Sequence, residues 1–402
     1  MTASTTPRIL VAGGGIAGNA VALQLLRAGI AVTVVERATA PRPGGQAVDL
    51  RGPSREVAER MGLTEGIRKH LLHEKGMVVV DRDGNQKYRM PMDMFDGKGP
   101  VADIEISRGD LNGVLLTELA GVAGELDYRY GDWIEALDQD ADGVDVTFAS
   151  GAVERYELVI GADGVHSKTR ALAFGPEEQF TTYLGGYMSF YTIATPPQAE
   201  PDWMTTRVVP RASIGVRPDS DPATSKAIIT LRTDADPALR RDIPAQQRLV
   251  REMLAEAGWL APEILAQLST ATDFYFDELV RVDMPTLSAG RVTLLGDSGF
   301  CGSPMTGMGT AMAVVGAYIL AGELAATPGD VAGALARYEA AITPFLDKAK
   351  EIPGGGIQMM VPKTKLGLAA AQQVGKLLTT KVMKPVMMKM LETTDDYTLP
   401  SY

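Results

Sequence analysis

Apolar residues change their spacing along this chain, and each change marks an element. Ile9-Leu-Val-Ala12 is an uninterrupted apolar run of strand length. Gly13, Gly15 and Gly18 follow, then a stretch from Asn19 to Ala28 with helical apolar spacing that closes at Gly29. A second apolar run, Ala31 to Val35, stops at Glu36. The pattern predicts a strand, a turn, a helix and a second strand. Unbroken apolar strands belong to parallel sheets covered on both faces. Two later stretches repeat the theme. Leu158-Val-Ile160 runs into Gly161-Ala-Asp-Gly164, with Ser167 and Arg170 at helical spacing behind it. Arg291-Val-Thr-Leu-Leu295 runs into Gly296-Asp297, a glycine-rich turn and a long apolar helix from about Thr310.

Between these runs the pattern is different. Met77 to Tyr88 alternates around Asp83-Gly84 and reads as a hairpin. Tyr183 to Thr195, Thr205 to Val216 and Lys226 to Thr233 read as strands separated by Pro196-Pro197 and by Pro218 to Pro222. Ala245 to Gly258 reads as an amphipathic helix. From Ala332 onward the spacing is mostly helical, broken at Pro353-Gly-Gly-Gly356. The last stretch holds Lys363, Lys365, Lys376, Lys381, Lys384 and Lys389, with Met383, Met387, Met388 and Met390. It reads as helix bridging the two domains, apolar face inward. A methionine-rich wall near a substrate and attachment to a membrane surface are the other readings.

The predicted fold class is α/β. A Rossmann-like domain is assembled from residues 1–72, 102–180 and 277–330. A second domain, an antiparallel sheet backed by helices, takes residues 73–101 and 181–276. Residues 331–402 form a C-terminal helical region. A cleft between two such domains is where small molecules usually bind.

Composition narrows the partners. At 402 residues the chain can bury more than one domain core, and its net charge of -11 argues against nucleic acid. Cys301 is the single cysteine, so no disulfide framework exists, which fits a reducing cytoplasm. The residues before Ile9 are few and polar, and the run from Ala311 to Leu320 is short for a bilayer, so cytoplasmic residence without membrane insertion is expected. Monomer and homodimer both remain open.

The first unit carries chemistry. Gly13 permits a tight turn, Gly15 lets a pyrophosphate approach the backbone, and Gly18 lets helix and strand pack closely. The helix N-terminus offers free N–H groups to the phosphates, and Glu36 is placed to accept from a ribose diol. NAD, NADP and FAD all use such a unit. The three histidines, His70, His73 and His166, read as solvated or structural. No zinc spacing, Ser-His-Asp set or paired carboxylates emerge, so no protein-borne catalytic residue is assigned.

Together the three glycine-bearing segments resemble the aromatic-hydroxylase group of flavin-dependent monooxygenases, the family of para-hydroxybenzoate hydroxylase. The resemblance spans residues 8 to about 325. It implies that Gly13, Gly15, Ala17, Gly18, Glu36 and Arg37 hold the adenosine and pyrophosphate of FAD. It further implies that Arg108, in Ile104-Glu-Ile-Ser-Arg-Gly-Asp-Leu111, holds phosphate or ribityl, and that Asp297 binds the ribityl chain. Pro304, Gly307, Met308 and Gly309 would face the flavin ring, and Asp163 would serve a segment touching both FAD and NAD(P)H. The family usually has Gly-Asp-Ala-Ala-His where this chain has Gly296-Asp-Ser-Gly-Phe300, and Thr310 stands where Asn is common. Arg42 with Gly44-Gly-Gln-Ala-Val-Asp-Leu50 is similar to a stretch of the tetracycline-inactivating monooxygenases. That likeness makes Gly45 a cofactor contact and places Asp49 near the isoalloxazine and Arg42 at NADPH.

The resemblance implies an FAD-dependent enzyme that consumes NADPH or NADH. It would insert one atom of dioxygen into an aromatic or polyketide-like molecule through a flavin C4a-hydroperoxide. No second Gly-x-Gly-x-x-Gly is present, so NAD(P)H would dock transiently. Met188, Phe190, Phe276, Phe300 and Met305 are the expected substrate wall. A reductase or oxidase on the same fold and a flavin-binding regulatory protein are the competing readings.

Overall fold

A computed structural model describes residues 8–42, 44–92, 104–352, 355–379 and 397–402. Three of the chain's buried apolar runs lie side by side as β1 (Arg8–Ala12), β11 (Leu158–Gly161) and β18 (Val292–Leu294). With β2 (Ala31–Glu36), β7 (Leu126–Tyr130) and β17 (Ser288–Ala289) they form a six-stranded sheet in the order β17-β18-β11-β1-β2-β7. Only the β17–β18 pair is antiparallel. β1 pairs with β11 on one side and β2 on the other, so the sheet's topological switch falls at the carboxyl end of β1. A parallel sheet holds ligands at such a point.

Both faces of this sheet are covered. One carries α1 (Ile16–Arg27), α2 (Pro53–Arg60), α3 (Thr64–Arg68), α4 (Arg108–Gly121), α9 (Gly309–Ala326) and α10 (Val331–Ala349), whose apolar residues merge into one core. α9 is buried around most of its circumference and runs as the central helix of that core. It is also the one helix among the described residues long and apolar enough to cross a bilayer, but two thirds of it, 67 %, is already inside the protein. The other face is closed by a feature absent from the sequence reading. This is a three-stranded antiparallel sheet of β8 (Ile134–Gln139), β9 (Val144–Phe148) and β10 (Val153–Tyr156), which packs Val144, Val146 and Phe148 against Leu10 and Val159.

The second unit is a seven-stranded sheet, ordered β16-β12-β15-β14-β13-β4-β5. Its strands are β4 (Gly76–Val80), β5 (Gln86–Pro91), β12 (Thr181–Ala194), β13 (Trp203–Val209), β14 (Ala212–Pro218), β15 (Thr224–Leu231) and β16 (Tyr275–Val282). All neighbours run antiparallel except β4 and β13. The predicted single strand Thr205–Val216 is two strands, because Pro210-Arg211 turns the chain and Arg211 takes a positive φ of 69°. β16 pairs with β12 through Val282, so a domain boundary at residue 277 cuts through a strand. β12 is bulged between Tyr183 and Tyr187. Gly185 there has φ 92°, and a Cβ on Gly186 would stand 2.2 Å from the Leu231 carbonyl oxygen. α6 (Ile243–Leu254) and α7 (Ala261–Gln267) cover the outer face through Val250, Leu254 and Ile264.

A short ribbon, β3 (Ala47–Asp49) with β6 (Glu105–Ser107), lies between the two units. α5 (Lys168–Ala173) and α8 (Asp297–Phe300) are single turns behind the second and third glycine loops. α11 (Ile357–Met360) rests on β12, and α12 (Lys365–Leu378) on β5 and β13, while Tyr397 and Tyr402 pack on Phe345 and Tyr318 of the first unit. Lys381, Lys384, Lys389, Met383, Met387, Met388 and Met390 lie outside the described residues.

Candidate active site

The glycine loop after β1 is shaped by its own backbone. Gly13 has φ 111°, and a Cβ there would meet the Ala162 carbonyl oxygen at 2.3 Å. A Cβ on Gly18 would stand 1.9 Å from the Gly13 oxygen. At Gly15, the N-cap of α1, a Cβ would find nothing within 4 Å. Gly13 and Gly18 are therefore required by the protein, while Gly15 leaves room at a helix N-terminus, where an anion is favoured. The Glu36 carboxylate accepts from the backbone N–H of Gly14 at 2.8 Å and of Ala38 at 2.7 Å, which holds it at the end of β2. Arg37 is exposed beside it. Asn19, Asn112 and Tyr128 brace the loop, with Asn19 Nδ2 donating to the Gly14 oxygen at 2.9 Å and the Tyr128 hydroxyl to Asn19 Oδ1 at 3.0 Å. These three were not read from the sequence, since they lie far apart in the chain.

The second loop is braced by its own acid, Asp163. One oxygen accepts from the Ser167 hydroxyl, and the other from Thr169 N at 2.9 Å and Thr169 Oγ1 at 3.0 Å. It fixes its own turn, as a capping carboxylate does. Arg170 is fully buried and donates to the Ser298 oxygen at 2.8 Å and the Val165 oxygen at 2.7 Å, tying the second loop to the third.

The third loop brings up Asp297 and the start of α9. Gly307 sits in the left-handed region at φ 66° with open space where a Cβ would be, and Met308 caps α9. A Cβ on Gly309 would lie 3.8 Å from Asp297 Oδ1, so carboxylate and helix terminus are adjacent. Burial pushes the Asp297 carboxyl up, against the pull of the Arg108 guanidinium. Ala17 closes the circle, because its Cβ lies 2.9 Å from where one on Gly296 would be. Pro304 is exposed at the rim.

The ribbon delivers a fourth set. Gly109 N donates to the Gly44 oxygen at 2.7 Å and Arg108 N to the Gln46 oxygen at 3.0 Å, which seats Gly45 against Arg108. Asp49 is paired with Arg51 at 2.6 Å. Arg42 is exposed at the start of the loop. The ribbon is tied to the sheet by Arg217 of β14, which donates to the buried carboxylates of Glu74, at 2.5 Å, and Glu105. Burial pushes the Glu74 carboxyl up, opposed by Arg217. Lys226 of β15, also buried, reaches to 3.1 Å from the place of a Gly44 Cβ.

Strand alternation decides which candidate wall residues face this cleft. Met188 and Phe190 of β12 lie on the inner face, and Met188 joins Leu279, Met305 and Ile357 in one apolar cluster. Two residues need correction. Phe276 points to the opposite face, stacked on Tyr187 at 4.9 Å in the helix-backed core, because its neighbours Tyr275 and Asp277 take the inner side. Phe300 is 1 % exposed and packs under Gly316 of α9, so it fills the core of the first unit.

The fit to a flavin dinucleotide is physical. Gly15 caps α1 and Gly307 lies just before the cap of α9, both with open space at Cβ, and Glu36, Asp297 and Arg108 belong to the same loops and ribbon. An elongated molecule with an anionic middle matches that set.

Comparison with known proteins gives the same picture. A family model described as FAD binding domain matches residues 6–351. Rv1260, an uncharacterized protein of Mycobacterium tuberculosis, is 40% identical over 355 residues, spanning 86% of this chain and 94% of its own. A flavin-dependent monooxygenase of Legionella longbeachae is 33% identical over 346 residues, 85% of this chain and 86% of that relative. The crystal structure of the tetracycline destructase Tet(51) has a TM-score of 0.82 and 31% identity, covering 99% of this chain and all of that one.

Proposed function

The chain belongs to the FAD-binding-domain family of flavin-dependent monooxygenases, and from that premise we propose that it oxygenates an aromatic or polyketide-like small molecule with electrons from NADPH or NADH. FAD, when bound and reduced, supplies the activation of dioxygen. The protein's share is to hold, orient and exclude. Gly15 and the start of α1 would take the pyrophosphate, Glu36 the adenosine ribose and Asp297 the ribityl chain. Gly307 to Gly309 and Arg108 would meet the flavin ring and the groups beside it. Met188, Phe190 and Met305 would press an apolar ring against it and keep water out.

One observation carries this reading. The start of α1 meets the third loop where Ala17 faces Gly296, Asp297 lies beside Gly309 under the pull of Arg108, and Met305 of the same loop joins Met188 of the seven-stranded sheet in one apolar cluster. The test is NADPH and NADH oxidation screened against phenols and tetracyclines, with mass analysis of products. A product heavier by one oxygen atom supports the proposal. Oxidation without oxygen insertion for every compound would reassign the chain to reduction or oxidation. Asp297→Ala should purify with much less bound FAD, and a fully yellow, active variant would contradict its role.

A further inference from the structure

α12 leaves apolar residues on its outward side. Its inner side, where Leu368 and Ala371 are half-buried, rests on β5 and β13. Gly375 permits that contact, since a Cβ there would stand 2.7 Å from the ring of Tyr88. The outward side carries a ridge of Leu366, Ala370 and Val374, spaced by four residues and all exposed, Leu366 by 82%. The turn ahead of the helix, α11, leaves Met359 and Met360 exposed as well. No residue of α12 is fully buried. The helix is nevertheless closed at its start, where Gly367 N donates to the Thr364 hydroxyl oxygen at 3.0 Å. A surface helix ordinarily turns its apolar stripe inward and a polar face to water. α12 turns apolar residues both ways.

Charge sets this face apart too. Lys365 and Lys376 stand three helical turns apart, in one line beside the ridge, and Lys363 is exposed just before them. None of the three forms an ion pair among the described residues, whereas Lys69, Lys75, Lys87 and Lys350 are each paired with an acid. From Pro362 to Leu391 the sequence holds six lysines and no acid, in a chain whose net charge is -11.

An outward apolar ridge flanked by unpaired cations is complementary to an anionic lipid surface. The ridge enters the boundary between headgroups and acyl chains. The lysine stems lie along it while their ammonium groups reach lipid phosphates. A second copy of the chain fits less well, because α12 against α12 brings like-charged lysines together. We propose that α12 holds this protein flat against an anionic membrane surface through Leu366, Ala370, Val374 and the three lysines, without crossing the bilayer. The acidic remainder of the molecule is repelled by the same surface, so the helix also fixes which side faces the lipid.

The test uses the full-length, FAD-loaded protein and sedimentation with two kinds of vesicle, phosphatidylcholine alone and phosphatidylcholine mixed with phosphatidylglycerol. Binding to the mixed vesicles should be at least about tenfold stronger and should fall as salt is raised. Leu366→Trp should report insertion as blue-shifted emission on the mixed vesicles. Leu366→Ser combined with Val374→Ser should weaken binding by about tenfold while its salt dependence persists. Lys365→Glu combined with Lys376→Glu should abolish the preference for anionic vesicles. These positions are exposed, so FAD content and thermal melting should stay native in all three variants. The inference is overturned if the native protein binds neither vesicle or both equally, or if either double variant binds as the native protein does. It is also overturned if the Leu366→Trp emission keeps its aqueous position while the protein sediments, since another surface is then the contact. A concentration-dependent dimer in vesicle-free solution, dissolved by Leu366→Ser with Val374→Ser, would give the ridge to a second copy instead.

Discussion

The glycine cradle and the inner face of the seven-stranded sheet meet where Met305 joins the cluster of Met188, and they are made of opposite materials. In the cradle the backbone is the working surface, and side chains are mostly missing where they matter. Gly13, Gly18 and Gly307 hold conformations or approaches that a Cβ would disturb or a positive φ forbids. On the sheet the working surface is side chain, and charges are paired across large separations in sequence, Arg217 with Glu74 and Glu105, Lys226 with Asp273, His166 with Asp277. A cofactor shared by many enzymes calls for the first kind of surface. Selection among substrates calls for the second, because buried polar groups penalise every wrong partner.

The largest effects should come from the cradle, and two glycines three residues apart should behave differently. Gly18→Ala forces a methyl to 1.9 Å from the Gly13 carbonyl oxygen, so backbone must move. A loss of about 4 kcal/mol or more is expected, read as insoluble protein or a collapsed thermal transition. Gly15→Ala meets no protein atom within 4 Å. Its apo protein should melt within a few degrees of native, while FAD affinity falls at least about tenfold because the methyl occupies the ligand's space. Equal stability losses in the two variants would erase the distinction between glycines kept for the fold and a glycine kept for the ligand.

On the sheet side, Arg217→Met strands the Glu74 and Glu105 carboxylates in the interior. Removing one partner of a buried ion cluster costs about 3–5 kcal/mol. Denaturant unfolding should show that loss, and replacing all three residues by apolar ones should recover most of it. If Arg217→Met is neutral, the ribbon is not held by this cluster. Next in size is Phe300→Ala, expected to cost about 3 kcal/mol as a core cavity while substrate selectivity stays native. Met305→Ala, in the cluster facing the cleft, should do the reverse, with small stability loss and altered KM.

How much of this was legible in the sequence follows the same division. A cradle built from backbone is written locally, in glycines a few residues apart between apolar runs, so the loops carrying Gly13–Gly18 and Gly307–Gly309 could be located by spacing alone. The side-chain surface is written at long range. His166 and Asp277 are 111 residues apart, and nothing local marks either as the other's partner. Alternation also fails where both faces of a strand are covered. Tyr275 and Phe276 are both aromatic, and only the packing of Phe276 on Tyr187 tells which faces the helices. The bracing of the second loop by Asp163 went unread for a related reason. A segment that matches a cofactor signature can satisfy its acid internally, and the hydroxyls of Ser167 and Thr169 that do so were in plain view at turn spacing.

The smallest expected effect concerns pH, and it probes the sheet side where the two units touch. His166 has its pKa raised from 6.5 to about 9, chiefly by its hydrogen bonds to Asp277 and Glu177. Its stabilising contribution is therefore complete below pH 6.5 and is lost as pH rises through 9. Glu177 is lowered from 4.5 to about 2 by His166 and Arg240, which outweigh the cost of its burial, so its contribution is complete above pH 4.5 and fades as pH falls toward 2. The cluster as a whole is strongest between about pH 4.5 and 6.5. The His166 side chain is 37% exposed, so solvent screening reduces its share to about 1 kcal/mol. Thermal melts from pH 6 to 10 should show the native protein losing stability across the alkaline limb faster than His166→Gln, with the two curves converging above pH 9. Parallel curves over that range would mean that the imidazole carries no proton beyond its ordinary share, and that the junction between second loop and sheet is held by packing alone.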